Sequence, residues 1–124
     1  MSDVKAATAV RAKVGWWEVG AKNPTAIRRF YSDALGLGFK VDPGDYGIVA
    51  GEAGIGGGIG PSPIGGLTVY LEVDDLEAAL ARVERAGGKR LVPPTPIPDF
   101  NLTIAAFADP EGNKVGLMTA AGES

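Results

Sequence analysis

The sequence contains no cysteine and no histidine. The first absence removes disulfides, thiolate metal sites, iron–sulfur clusters and thiol nucleophiles together. The second removes the commonest neutral-pH acid–base group and the commonest transition-metal ligand, so His-based triads and ordinary zinc sites are excluded. Long apolar runs are also missing. Every apolar stretch falls far short of the roughly 20 residues that a membrane helix needs, and the polar, alanine-rich segment before Lys13 has no hydrophobic signal core. A cytoplasmic protein without a membrane partner is the expectation. Charge of one sign is lacking too: twelve Lys and Arg stand against fifteen Asp and Glu, for a formal charge of −3. The basic residues are scattered singly or in pairs, which argues against nucleic acid as a partner.

What is present is a globular composition, 45% hydrophobic and 22% charged over 124 residues, enough for one domain spanning 1–124. Nineteen glycines and nine prolines cut it into short pieces. Two helices survive the cutting. The first is predicted over Pro24–Leu35, with Asn23 as N-cap and Ile27, Phe30, Tyr31, Ala34 and Leu35 along one apolar face, ended by Gly36. On its opposite face Arg28-Arg29 reads as solvated surface. The second helix is predicted over Asp75–Ala86, with Asp74 and Glu77 as a capping box and Leu76, Ala79, Leu80, Val83 and Ala86 as the buried stripe. Gly87-Gly88 ends it.

An alternating strand precedes each helix, Val14–Val19 and Leu67–Val73, and three short strands follow each. The first set is Gly38–Val41, Tyr46–Ala50 and Ile55–Gly60. The second is Lys89–Val92, Leu102–Ala108 and Lys114–Met118, the last entered through the turn Asp109-Pro110-Glu111-Gly112-Asn113. Superposing Val19 on Val73 aligns the halves, so the chain reads as two βαβββ modules, about 13–61 and about 66–119, of an α+β fold. A unit of about 60 residues with one helix buries too little apolar surface to stand alone. The halves must therefore pair, within the chain or across a homodimer, as curved mixed sheets around a cleft, the natural binding site.

Pro24 through Gly36, Tyr70-Leu-Glu-Val-Asp74-Asp75-Leu76, the Gly87-Gly88 break and Asp109 through Asn113, taken in order, resemble the vicinal oxygen chelate superfamily, which includes glyoxalase I, extradiol dioxygenases and bleomycin resistance proteins. The resemblance implies the glyoxalase/bleomycin resistance fold. It also implies that metal-dependent members carry His or Glu on the first and last strands of each module. Those positions fall here on Val14 or Trp16, on Thr68 or Tyr70, within Gly56–Gly60, and on Gly116, where relatives carry Glu. None is an imidazole or carboxylate, so no metal and no cofactor is expected. The resemblance to bleomycin resistance proteins implies instead a dimeric binder of a small hydrophobic or aromatic molecule.

Side-chain alternation places Val14, Trp16 and Glu18 on the cleft side of the first strand and Trp17 with Val19 on the helix side. In the second module Thr68, Tyr70 and Glu72 line the cleft, while Val69, Leu71 and Val73 pack inward. Trp16 is either a ligand contact or a filler of the cleft or of an interface. The glycines at 56–58 and at 116 either widen the cleft or mark a tightly packed strand. Glu18 and Glu72 are related by the repeat and are either solvated or a catalytic pair. In the second case one glutamate is the general base of a metal-free isomerase, lyase or hydrolase, and Tyr70 is the proton donor. The proline-rich segment from Val92 to Phe100 cannot be a central strand and is expected as a loop, either a lid presenting Ile97, Asp99 and Phe100 or a cover for an edge strand.

Overall fold

The computed structural model describes residues 12–51 and 54–120. The chain divides into two compact units, one spanning Gly15–Val69 and one built mainly from Tyr70 onward. In the first half the elements are β1 (Lys13–Gly20), α1 (Pro24–Leu35), β2 (Lys40–Val41), β3 (Gly47–Val49) and β4 (Gly57–Gly60). The second half runs β5 (Gly66–Glu72), α2 (Leu76–Arg85), β6 (Lys89–Ile97), a 3-10 turn at Pro98–Phe100, β7 (Leu102–Ala108) and β8 (Lys114–Ala120). The strand order is β2-β3-β4-β1 in the first half and β6-β7-β8-β5 in the second. In each half the first strand runs parallel to the last, Trp17 opposite Gly57 and Tyr70 opposite Gly116, and the other pairings are antiparallel. The expected βαβββ repeat is therefore present in element order and in pairing.

Local chemistry sets the helix ends. Asn23 Oδ1 accepts the Ala26 N–H at 3.1 Å, Pro24 opens α1, and Gly36 closes it in the left-handed conformation, at φ 74°. Helix α2 is capped one residue later than the capping box predicted. Asp75, not Asp74, accepts the Ala78 N–H at 3.0 Å, because Asp75 is the residue in extended conformation at the boundary. Neither helix is long and apolar enough to cross a membrane.

The two halves bury different things. In the second, Val73, Leu76, Ala79, Leu80, Ala105 and Leu117 form one apolar cluster, with Leu71 and Phe107 packed against it. At about 1.5–3 kcal/mol for each large aliphatic side chain buried, this cluster dominates what holds α2 to its sheet. Three residues assigned to that core lie outside it: Val83 is half-buried, Ala86 is exposed past the helix end, and Val69 is 38% exposed on β5.

In the first half the expected apolar face of α1 is not the buried one. Phe30 and Leu35 are 58% and 69% exposed, Ala34 is exposed, and Arg28 is buried. The reason lies in β4, whose Gly-Gly-Ile-Gly sequence offers a single aliphatic side chain, Ile59, to a packing helix. The long Arg28 stem fills the space above Gly47, where a Cβ would strike Arg28 Cδ. Its guanidinium donates to the carbonyls of Asp45 (2.8 Å) and Ile59 (3.3 Å) and pairs with the Asp45 carboxylate at 2.6 Å. Only Arg29 of the pair read as solvated is exposed.

The segment expected as a loop from Val92 is a strand as far as Ile97. It pairs with β7 through register shifts between Arg90 and Val92 and between Val92 and Thr95. Since β6 ends the strand order of its half, Pro93, Pro94 and Pro96 can miss N–H groups there without breaking a central ladder.

Candidate functional site

Alternation along β1 separates its aromatic residues. The Trp17 indole lies on Gly57, opposite it in β4, and its Nε1 donates to the Ile55 carbonyl at 3.1 Å. On the other face the Tyr46 ring lies on Gly58, the residue opposite Glu18. A Cβ on either glycine would enter the ring above it, so these glycines are flat seats for aromatic side chains. The tightly packed strand, one of the two readings of the glycine run, describes Gly57 and Gly58; the added volume does not.

Tyr46 thereby reaches Glu18. Its hydroxyl donates to Glu18 Oε2 at 2.8 Å and accepts the Trp16 Nε1–H at 3.0 Å. Ser62 Oγ donates to Glu18 Oε1 at 2.6 Å and accepts the backbone N–H groups of Ile64 (3.1 Å) and Gly65 (3.4 Å). Glu18 is 6% exposed, so this is a buried carboxylate held by two hydroxyls. The turn before Tyr46 is fixed from both sides. Asp42 Oδ1 accepts the N–H groups of Gly44 (2.8 Å) and Tyr46 (3.1 Å), and Arg28 grips Asp45, which sits at φ 65°.

Trp16 and Glu18 were candidates from the sequence and share this hydrogen-bond network; its other members, Tyr46 and Ser62, were not named there as candidates. The available signal was a tyrosine on one predicted strand and a glycine run on the next, but antiparallel register is needed to put one over the other.

In the second half the Tyr70 ring lies on Gly116, its partner in β8, repeating the aromatic-on-glycine arrangement. Tyr70 and Thr68 are buried on the same side of β5, whereas Glu72 is exposed. The glutamate pair expected from the repeat is thus one buried and one solvated carboxylate, because Glu72 lies at the last position of β5. Phe100 stands exposed on the 3-10 turn beside Asp99, and Ile97 is half-buried at the end of β6.

Two βαβββ halves, each with its first strand parallel to its last and an aromatic ring laid on a glycine of that last strand, define the architecture in which these residues act. The chain belongs to the Glyoxalase/Bleomycin resistance protein/Dioxygenase superfamily, whose model matches residues 13–117. It is similar to the "Putative glyoxylase CFP32" of Mycobacterium tuberculosis and of Mycobacterium bovis, at 32% identity over 106 residues, 78% of this chain. The chain spans about 40% of the length of these curated relatives. Among solved structures it resembles a glyoxalase/bleomycin resistance protein/dioxygenase superfamily member from Vibrio splendidus, with TM-score 0.63 and 17% identity over 87% of this chain and 98% of that one. It also resembles methylmalonyl-CoA epimerase from Mycobacterium tuberculosis, with TM-score 0.62 and 15% identity over 91% of this chain and 90% of that one. At such identities the likeness is one of fold.

The family includes metal-dependent members, so the donors at the corresponding strand positions matter. Those positions carry an indole or valine on β1, a phenol or threonine on β5, and glycines on β4 and β8, the last with a ring over it. Among the described residues no three His, Cys, Asp or Glu side chains gather closely enough to hold a metal ion. Glu18, the carboxylate on β1, has each oxygen engaged by a hydroxyl. Among the described residues, the strand positions that the resemblance implies as ligands therefore offer neither an imidazole nor a carboxylate.

Proposed function

We propose that this chain binds a small hydrophobic or aromatic molecule without a metal ion, in the manner of sequestration or sensing, and acts as a homodimer. The observation that carries this reading is the replacement of ligand-bearing positions by aromatic side chains and by glycines that seat aromatic rings. Trp16 and Tyr46 supply flat, polarisable surface in the first half, and Glu18 supplies one polar group bonded to Tyr46. Walls of this kind suit planar organic molecules.

The test is a thermal-shift and calorimetric screen of planar antibiotics and aromatic metabolites, run in chelator and again with divalent cations. Saturable binding that is indifferent to the chelator is expected. A screen without a binder, or binding abolished by chelation, overturns the reading.

One observation favours a second reading. A buried carboxylate 2.8 Å from a phenol is an acid–base pair, so Glu18 and Tyr46 could move a proton in a cofactor-free isomerase or lyase. In this reading Tyr46 stands beside Tyr70 as a candidate proton donor. Proton–deuterium exchange beside the carbonyl of a test ketone, lost in Glu18→Gln, is its signature.

A further inference from the structure

Helix α1 carries its apolar stripe on the outside. Ile27 is half-buried, Phe30 is 58% exposed and Ala34 is exposed, at the three- and four-residue spacing that brings side chains onto one helical face. A single exposed apolar residue is ordinary, but three in succession along one face make a patch. The Phe30 ring is placed by its own helix. It stands edge-on to Tyr31, the centroids 5.1 Å apart and the planes at 83°, so its position is set before any partner arrives. Along one margin of the patch lie Arg29 and Asp33, both exposed, one helical turn apart and in no ion pair with each other or with another described residue. Cation before anion is the weaker order for a pair within one helix, which leaves both charges for a partner.

We propose that a second copy of this chain covers this face, with α1 lying antiparallel on the partner's α1 about a two-fold axis. The argument is charge complementarity. A two-fold axis perpendicular to the helix and level with Tyr31 brings position 29 of one copy level with position 33 of the other and sets each margin of the patch against the same margin of the partner. Arg29 then meets Asp33 of the partner subunit, and the same pair forms again on the other side of the axis. The two Phe30 rings pass side by side at the centre, and Ile27 comes up beside Ala34 of the partner subunit. A parallel pairing in register sets Arg29 against Arg29 and Asp33 against Asp33, which repels at both places. The helix has 12 residues, a length of about 18 Å, so the contact falls at the small end of protein interfaces and the association is weak and concentration-dependent. The proposal rests on the homodimeric part of the reading above and says which face makes the dimer.

The test is sedimentation velocity of the full chain over a concentration series, for the parent and for Phe30→Ala, Arg29→Asp and Asp33→Arg. Circular dichroism and thermal unfolding at the lowest concentration certify that each variant folds. Phe30→Ala is expected to weaken self-association about tenfold or more, because both copies lose the central ring. Arg29→Asp and Asp33→Arg each turn two attractions into two repulsions and should also weaken it about tenfold. Mixed with one another, these two variants are complementary again and should associate about as tightly as the parent. In a sample that mixes isotope-labelled and unlabelled parent chains, filtered spectra should show the Phe30 ring against protons of another copy. If the parent associates but the variants leave its constant unchanged, if the mixture associates no better than either variant alone, or if the Phe30 ring touches only its own chain, the proposal fails and the homodimer stands on another face. If the parent stays monomeric at millimolar concentration, the proposal and the homodimeric reading fall together.

Discussion

Gly58 carries as much of the site as the side chains do. Its missing Cβ is what lets the Tyr46 ring lie flat on β4 and bring its hydroxyl to Glu18. Gly58→Ala should cost about 1–3 kcal/mol, as overpacking does, and should shift the Trp16 indole signal without shifting that of Trp17; urea titration with nitrogen–proton spectra checks both. Arg28 invites a sharper comparison. Arg28→Met keeps an apolar stem but orphans the carbonyls of Asp45 and Ile59, for an expected loss of about 2 kcal/mol. Asp45→Asn removes only a carboxylate that is half exposed, and its expected loss is below about 1 kcal/mol. Denaturant midpoints for the two variants would reverse this account if Asp45→Asn proved the costlier. Arg28 illustrates what a single chain hides. A basic pair on a helix reads as solvated surface, and only the identity of the neighbouring strand, three glycines in four residues, makes the arginine stem the best filler.

Elements whose limits depend on local chemistry were legible; those that depend on partners were less so. Asn23-Pro24, Gly36 and Gly87 mark helix ends by conformational preference alone, and the structure follows them. Where two acidic residues competed for the same cap, the outcome is testable. Asp75→Ala should lose about 1 kcal/mol and Asp74→Ala far less, measured by thermal unfolding. The proline-rich segment failed as a loop because an outer strand tolerates prolines that an inner one cannot, and strand order is not written locally. The turn before β8 is local, and its anatomy is plain. Asp109 lies below the usual carboxylate range, first through the Asn113 side-chain amide at 2.8 Å, then through the backbone N–H groups of Asn113, Glu111 and Gly112. A carboxyl lowered in the folded state stabilises it above its unfolded value, near 3.9, and that contribution is lost as pH falls through the folded value. The stability gap between the protein and Asp109→Ala should therefore be constant near neutrality and narrow in acid. A gap that widened on acidification would contradict the assignment.

At the scale of the whole chain the repeat is a repeat of topology but not of substance. The second half is held by an aliphatic cluster around Leu76 and Leu80, both about fully buried. The first half buries Ile59 and Ile64 among its large aliphatic residues and relies on Arg28, the Glu18 network and rings laid on glycine, while Phe30, Leu35, Val41 and Ile55 stay exposed. Directional polar contacts hold geometry well but contribute little net free energy, about 1 kcal/mol for a typical bond, so the first half should open locally at lower cost. Truncating one large apolar side chain on each helix tests this. Leu80→Ala should cost about 2–5 kcal/mol, whereas Phe30→Ala should stay within about 0.5 kcal/mol of the parent, because no packed cavity is left behind. Native-state hydrogen exchange supplies the independent check, with amides of β7 and β8 expected to open only with global unfolding and those of β2 and β3 well before it. Equal protection in both halves would mean that the polar network contributes as much as an aliphatic core, and the reading of the first half as a precisely shaped but shallow scaffold for Glu18 would have to be given up.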